Sequence, residues 1–160
     1  MKEKFTTLEK VMNKWRNKNA HNLPPNSEED IVAFEKITGL VIPIDMKEYF
    51  IKVNGTEGGD ENDFFHFYSL EEFKSVGQSL KNWTGSPDYS NITNTLSHHA
   101  SFFVFADYLF HTFSYAIMLY TYSSNKNEIV VISGDKYQVV ATSFSRFLEI
   151  YLMNPDELQF

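Results

Sequence analysis

The strongest constraint on what this chain can fold into lies in residues 26–55, NSEEDIVAFEKITGLVIPIDMKEYFIKVNG. Two short helical patterns are separated by Gly39, an apolar extended run and Pro43, and the second stops at Asn54-Gly55. Asn26 is a capping residue, with Glu29 at the position a capping box requires. Ile31, Phe34 and Ile37 form the expected buried face, and Gly39 supplies a left-handed helix stop at little steric cost. Leu40, Val41 and Ile42 read as extended, because a residue before proline is driven out of the helical region. Pro43 has the φ of a first helical turn. Met46, Tyr49, Phe50 and Val53 then recur at three and four residues, the spacing of one helix face. Neither helix is long enough to stand alone, so both faces must meet each other and a sheet.

Ahead of this unit, Phe5, Leu8, Val11, Met12 and Trp15 make the apolar stripe of an amphipathic helix over 4–19. Lys10, Lys14 and Lys18 lie on another face. Such a stripe suits either a membrane surface or a protein core, and core docking is the expected use. Asn22-Leu23-Pro24-Pro25 breaks the helix.

Behind it the chain reads as β and then α. Residues 55–63, GTEGGDEND, are a glycine-rich acidic loop. Phe64 to Tyr68 form an aromatic strand, and Ser69 with Glu72 predicts a short capped helix whose Leu70, Phe73 and Val76 face inward. Residues 77–97 are polar and broken by Gly85 and Pro87. They read as a long surface loop, or as a cover pinned by Leu80, Trp83 and Tyr89. Phe102 to Phe105 read as a buried strand, and 113–120 as a central strand covered on both faces. Glu128 to Ser133 and Tyr137 to Ala141 flank Gly134-Asp135 as a hairpin. Thr142 or Ser143 caps a last helix that buries Phe144, Phe147, Leu148 and Tyr151. The expected fold is a single α+β domain over 1–160, a mostly antiparallel sheet with helices packed around it.

Composition narrows the chemistry. The chain has no cysteine, which excludes disulfides, thiolate catalysis and cysteine-ligated zinc. Its first 22 residues carry six Lys/Arg against two Glu, and the remainder eight against nineteen, giving the net charge of −7. A body that acidic lacks the basic face nucleic acid needs. The N-terminus has no continuous apolar run, so neither a signal peptide nor a membrane span is expected, and the default compartment is the cytoplasm.

The order of acidic capped helix, glycine, apolar-proline, helix and Asn-Gly resembles the Smi1/Knr4 family of the SUKH superfamily of bacterial immunity proteins. Glu28 to Glu35, Gly39, Ile42-Pro43, Tyr49-Phe50 and Asn54-Gly55 carry the resemblance, with Ile42 where the family often has leucine. The strand followed by Ser69-Leu70-Glu71-Glu72, the Ala106-Asp107-Tyr108 strand end and Ser143-Phe144 through Leu152 extend it over about 23–153. Leu109 to Thr112 depart from it, since many members have a glycine-rich turn there. The resemblance implies an immunity protein that binds and blocks a cognate toxin, such as a nuclease, in the cell's own cytoplasm. The alternative it implies, ranked second, is a regulatory or scaffolding adaptor, because eukaryotic members act in cell-wall signalling.

No catalytic residue is nominated. There is no P-loop, GxGxxG or GxSxG, and no histidine spacing of the HExxH type. His98 and His99 would point to opposite faces of a strand, and His66 and His111 sit near strand ends. Against an EF-hand count from Asp60, Phe65 occupies the position that requires glycine. No metal or cofactor is expected. The feature with content is acidity: residues 28–72 hold twelve acids against three lysines. Glu57, Asp60, Glu61 and Asp63 crowd one loop, which is either a solvated loop or a docking surface. A nuclease toxin carries Lys/Arg to hold phosphates, and carboxylates complement that surface. The expected contact residues are those four acids, with Trp83 and Tyr89 as aromatic anchors. The toxin partner that the resemblance implies is therefore expected to have a basic surface, and the chain itself is expected to be a monomer or weak homodimer.

Overall fold

The computed structural model describes residues 6–17, 24–56, 63–80 and 83–160. In chain order the elements are α1 (Thr7–Asn17), α2 (Glu28–Thr38), α3 (Ile44–Lys52), β1 (Phe65–Phe67), β2 (Lys74–Ser75), α4 (Val76–Leu80), α5 (Ile92–Thr95), β3 (Phe102–Tyr108), β4 (Phe113–Met118), β5 (Ile129–Ser133), β6 (Lys136–Ala141) and α6 (Phe144–Met153). A 3-10 turn, Pro155–Leu158, follows. The six strands form one antiparallel sheet in the order β1-β3-β4-β5-β6, with β2 also on β3. This is the expected α+β architecture, with β4 in the middle.

Strand alternation sends side chains to two apolar layers. Phe103, Phe105, Tyr115, Ile117, Ile129 and Val131 face the larger layer, which α1, α2, α3 and α6 complete with Trp15, Ile31, Met46, Tyr49, Phe50 and Phe147. Phe102, Val104, Ala116, Val130 and Ile132 face the smaller one, closed by Val76, Leu80, Tyr89, Ile92 and Leu96. The stretch 77–97 therefore holds most of α4 and all of α5 and is a cover rather than a bare loop. Its side chains bury the second face of the sheet.

The punctuation of residues 26–55 holds with two corrections. The N-cap of α2 is Ser27, not Asn26, and Asp30 closes the capping box with it. Asn26 instead gives its side-chain N–H to Asn54 Oδ1 at 2.6 Å and to the Phe50 carbonyl at 3.2 Å. Ile37 is 84% exposed, because a helix advances 3.6 residues per turn and two steps of three carry Ile37 off the face of Ile31. Gly39 ends α2 with φ 73°, and Pro43 is the N-cap of α3 with φ −64°. Glu35 joins the two helices: its carboxylate accepts Ile42 N–H at 2.9 Å and pairs with Lys47 at 3.4 Å.

α1 docks on the core, with Leu8, Val11 and Trp15 buried. Thr6 and Glu9 form its capping box. Trp15 Nε1–H donates to the Tyr151 hydroxyl at 2.8 Å, tying α1 to α6. Phe5 and Lys18 lie outside the described residues. Among the described residues, no helix is long and apolar enough to cross a membrane. Ser69 and Glu72 make the reciprocal bonds of a capping box, but the chain forms a turn there. Pairing of Lys74 with Val104 and of Ser75 with Phe103 draws it into the sheet, so α4 starts only at Val76.

Candidate functional site

The β3–β4 turn is where local backbone and exposed surface coincide. Leu109, Phe110 and His111 all have positive φ, at 53°, 52° and 68°. Facing them, Asp63 and Phe64 have φ of 53° and 69°. Left-handed backbone costs a non-glycine residue roughly 1 kcal/mol, so five such residues at one place is a concentrated strain. Hydrogen bonds hold it: Leu109 N–H donates to the Phe64 carbonyl at 2.9 Å, and Thr112 returns both its N–H and hydroxyl to the Leu109 carbonyl. The conformation turns apolar side chains outward. Phe110 is 65% exposed, Phe64 and Leu109 are also exposed, and the two phenyl rings lie 6.0 Å apart edge to face.

Beside this knob the sheet opens into a cleft of about 340 Å³ lined by His66, Tyr68, Glu72, Lys74, Asp107 and His111, among others. Asp107 is buried on β3, and its Oδ2 accepts the Tyr68 hydroxyl at 2.8 Å. The same oxygen lies 3.6 Å from His66 Nδ1 and 3.7 Å from His111 Nδ1. His66 Nε2 in turn is 3.4 Å from Glu72. Burial opposes a charge on His66, but the Asp107 and Glu72 carboxylates outweigh it and raise its pKa to about 9. Burial raises the Glu72 pKa, yet hydrogen bonds from His66 and the Ser69 N–H, with the His66 charge, win and hold it below the usual value. The Tyr68 hydroxyl is pushed far up, first by burial and then by Asp107.

His66 is therefore a cation at neutral pH, clamped between two carboxylates. That is an ion-pair lock between β1, β3 and the Ser69–Glu72 turn. A general base would need a pKa near the working pH and a free lone pair, and His66 has neither there. No group of three or more His, Asp or Glu side chains among the described residues is arranged to hold a metal ion.

The sequence-nominated residues divide around this turn. Glu57, Asp60 and Glu61 lie outside the described residues. Asp63 is exposed beside Phe64 and pairs with Lys14 of α1 at 3.6 Å. Trp83 is half-buried, packs against His111 with ring centroids 4.5 Å apart and planes tilted by 49°, and donates its N–H to the Pro87 carbonyl at 2.9 Å. Tyr89 is 1% exposed, so it presents no surface to a partner in this conformation. Its hydroxyl donates to the His111 carbonyl at 2.6 Å, lies 3.3 Å from the Ile132 carbonyl and accepts from Ser114 at 3.3 Å. Burial pushes its pKa up to about 12. Tyr89 thus supports the turn from beneath, while Trp83 packs against His111 within it. A chain of contacts, Asp63–Phe64 to Phe110–His111 to Trp83, links two of the nominated residues through three that the sequence reading did not nominate as contacts.

A protein-family model described as the SMI1 / KNR4 family (SUKH-1) matches residues 25–150. The chain belongs to the SMI1/KNR4 family. No curated protein matches it. The SMI1/KNR4 match runs from Pro25, just before α2, to Ile150 in α6, so it includes the knob and the cleft and leaves α1 outside. The signal that could have found the knob was in the sequence: Leu109-Phe110-His111-Thr112 joins β3 to β4 with no glycine, and its first three residues take left-handed backbone. Bulky residues on a turn suited to glycine accept strain, and strain of that kind collects at functional places.

Proposed function

We propose that this SMI1/KNR4 protein is an immunity protein that neutralises a cognate toxin by stoichiometric binding in the cytoplasm. Family membership makes an immunity-type role the natural starting point. The observation that carries the reading further is the exposed Phe64–Phe110 pair, held on left-handed backbone and directly following an acidic run in the chain. Aromatic side chains presented on rigid backbone lose little conformational entropy on binding, which suits an interface anchor. The carboxylates of Glu57, Asp60, Glu61 and Asp63 supply long-range attraction to a basic toxin surface and speed its arrival. Blocking by occupancy needs no catalytic group, and the ion-pair lock around His66 serves as scaffold for the knob.

The test is an affinity pull-down from the source cell, identification of the captured protein by mass spectrometry, and co-expression of that protein with this chain. Rescue of cells from an otherwise lethal captured protein supports the proposal. Replacing Phe64 and Phe110 with serine, and separately the four carboxylates with amides, should each weaken the complex at least about tenfold. Binding that ignores both sets of changes moves the surface elsewhere. Capture of a kinase or a structural protein, with no toxin recovered, favours the adaptor reading over immunity.

A further inference from the structure

The two margins of the sheet are finished differently. On one side β3 carries β1 and β2, only three and two residues long, and Thr56 pairs with Phe67 on the far side of β1. Short strands and a capping segment are how sheets avoid unwanted pairing. On the other side β6, KYQVVA, is six residues long, with Lys136 its single charge and no proline. Among the described residues its backbone makes no hydrogen bond beyond its ladder with β5.

The first four side chains of β6 are also uncovered, while Val140 is half-buried and Ala141 buried. Lys136, Tyr137, Gln138 and Val139 are all exposed, two toward each face. Tyr137 stands opposite Ile132 and Val139 opposite Val130, so both lie on the face of the smaller apolar layer. They extend that layer beyond its cover, at 41% and 46% exposure. The strand thus offers a row of free backbone groups and an apolar pair on one face.

We infer that β6 is a homodimerisation edge, where a second copy of this chain adds its own β6 antiparallel across a two-fold axis at Gln138. The strand is complementary to itself in that register. Tyr137 comes opposite Val139 of the second copy, and Val139 opposite its Tyr137, forming two aromatic–β-branched cross-strand pairs. Lys136 faces Val140 of the second copy, so no like charges oppose each other. Six residues bury much less than the roughly 1,200 Å² of a stable interface, and each copy carries a net charge of −7. The dimer is accordingly weak and builds with concentration. It uses the margin of the sheet formed by β6 and leaves the knob for the toxin.

The absence of native cysteine makes a direct test possible. Directly opposed residues of an antiparallel pair have Cα atoms about 4.5–5.5 Å apart, within disulfide reach. Under mild oxidation at high protein concentration, Gln138→Cys should form a disulfide-linked dimer at least about tenfold faster than Ile37→Cys, an equally simple exposed thiol on α2. Adding Val139→Lys or Tyr137→Lys to the Gln138→Cys chain should slow cross-linking roughly tenfold, since symmetry removes both copies of the pair. Circular dichroism checks that these surface variants stay folded. Sedimentation of the unaltered chain should show a dimer growing with concentration, and Val139→Lys should suppress it. Cross-linking no faster than that of Ile37→Cys overturns the inference, as does a chain monomeric at every concentration or a dimer indifferent to both lysine substitutions.

Discussion

Single residues here are set by two kinds of local force, charge and close approach. His66 owes its raised pKa to the Asp107 and Glu72 carboxylates, so its folded pKa of about 9 exceeds the unfolded value near 6.5. The lock therefore stabilises the fold fully below about pH 6.5 and is lost as pH rises through about 9. Because the pair is partly exposed, we expect a loss of about 1–2 kcal/mol across that window. Chemical denaturation from pH 6 to pH 10 measures it, and His66→Gln should flatten the window; an unchanged slope would remove the lock. Gly55 shows the second force. With φ 93° and an added Cβ only 2.8 Å from the Phe67 carbonyl oxygen and from Ser69 N, no side chain fits without moving backbone. Gly55→Ala should cost at least about 2 kcal/mol, read as a shift in the unfolding midpoint, far beyond an ordinary helix-stop substitution.

Among the elements, α1 and the β3–β4 turn behave oppositely. α1 gains its place through burial: Trp15 is fully buried, packs within 5.0 Å of the Phe67 ring and donates to Tyr151. Trp15→Ala should cost about 3–5 kcal/mol, whereas Trp15→Phe keeps much of the area and should cost about half as much. Equal losses from the two would mean that the hydrogen bond, and not packing, holds α1. The turn instead stores strain at its surface. Phe110→Gly relieves one left-handed residue of roughly 1 kcal/mol, offset in part by glycine's chain entropy. Thermal unfolding should thus show the variant equal to or slightly more stable than the parent, while capture of the proposed toxin falls. A marked loss of stability would show that the exposed ring is structural and would weaken its assignment as an anchor.

For the whole molecule, charge distribution governs association. Residues 28–72 are strongly acidic, and the proposed toxin is basic, so raising salt from low to high should slow association and weaken capture. The homodimer should respond in the opposite sense, because salt screens repulsion between two copies of like net charge. Binding and dimerisation measured against ionic strength therefore separate the two surfaces. A toxin complex with no salt dependence would leave the acidic run without a role in capture.

Sequence alone determined the elements whose signals are local. The glycine and Asn-Gly stops, the extended run before Pro43, the buried positions of α3 and α6, the β5–β6 hairpin and the central place of β4 all follow from periodicity, caps and turn chemistry. Errors of one residue, such as Asn26 for Ser27, arose because neighbouring residues could each cap α2. Only the tertiary structure decided what depended on distant partners. Asn26 was taken up by Asn54, whose own amide reaches the Pro24 carbonyl at 2.7 Å and whose Oδ1 receives Leu70 N–H at 2.8 Å. Tyr89, nominated for a surface, was buried under the β3–β4 turn, and 77–97 became the cover of a second apolar layer. His66, Glu72, Asp107 and His111 are scattered over 46 residues and share no motif, yet the antiparallel pairing of β1 with β3 places His66 opposite Asp107. Local preference is encoded within a few residues of itself, whereas a site joined by hydrogen bonds across strands exists only once their register is set.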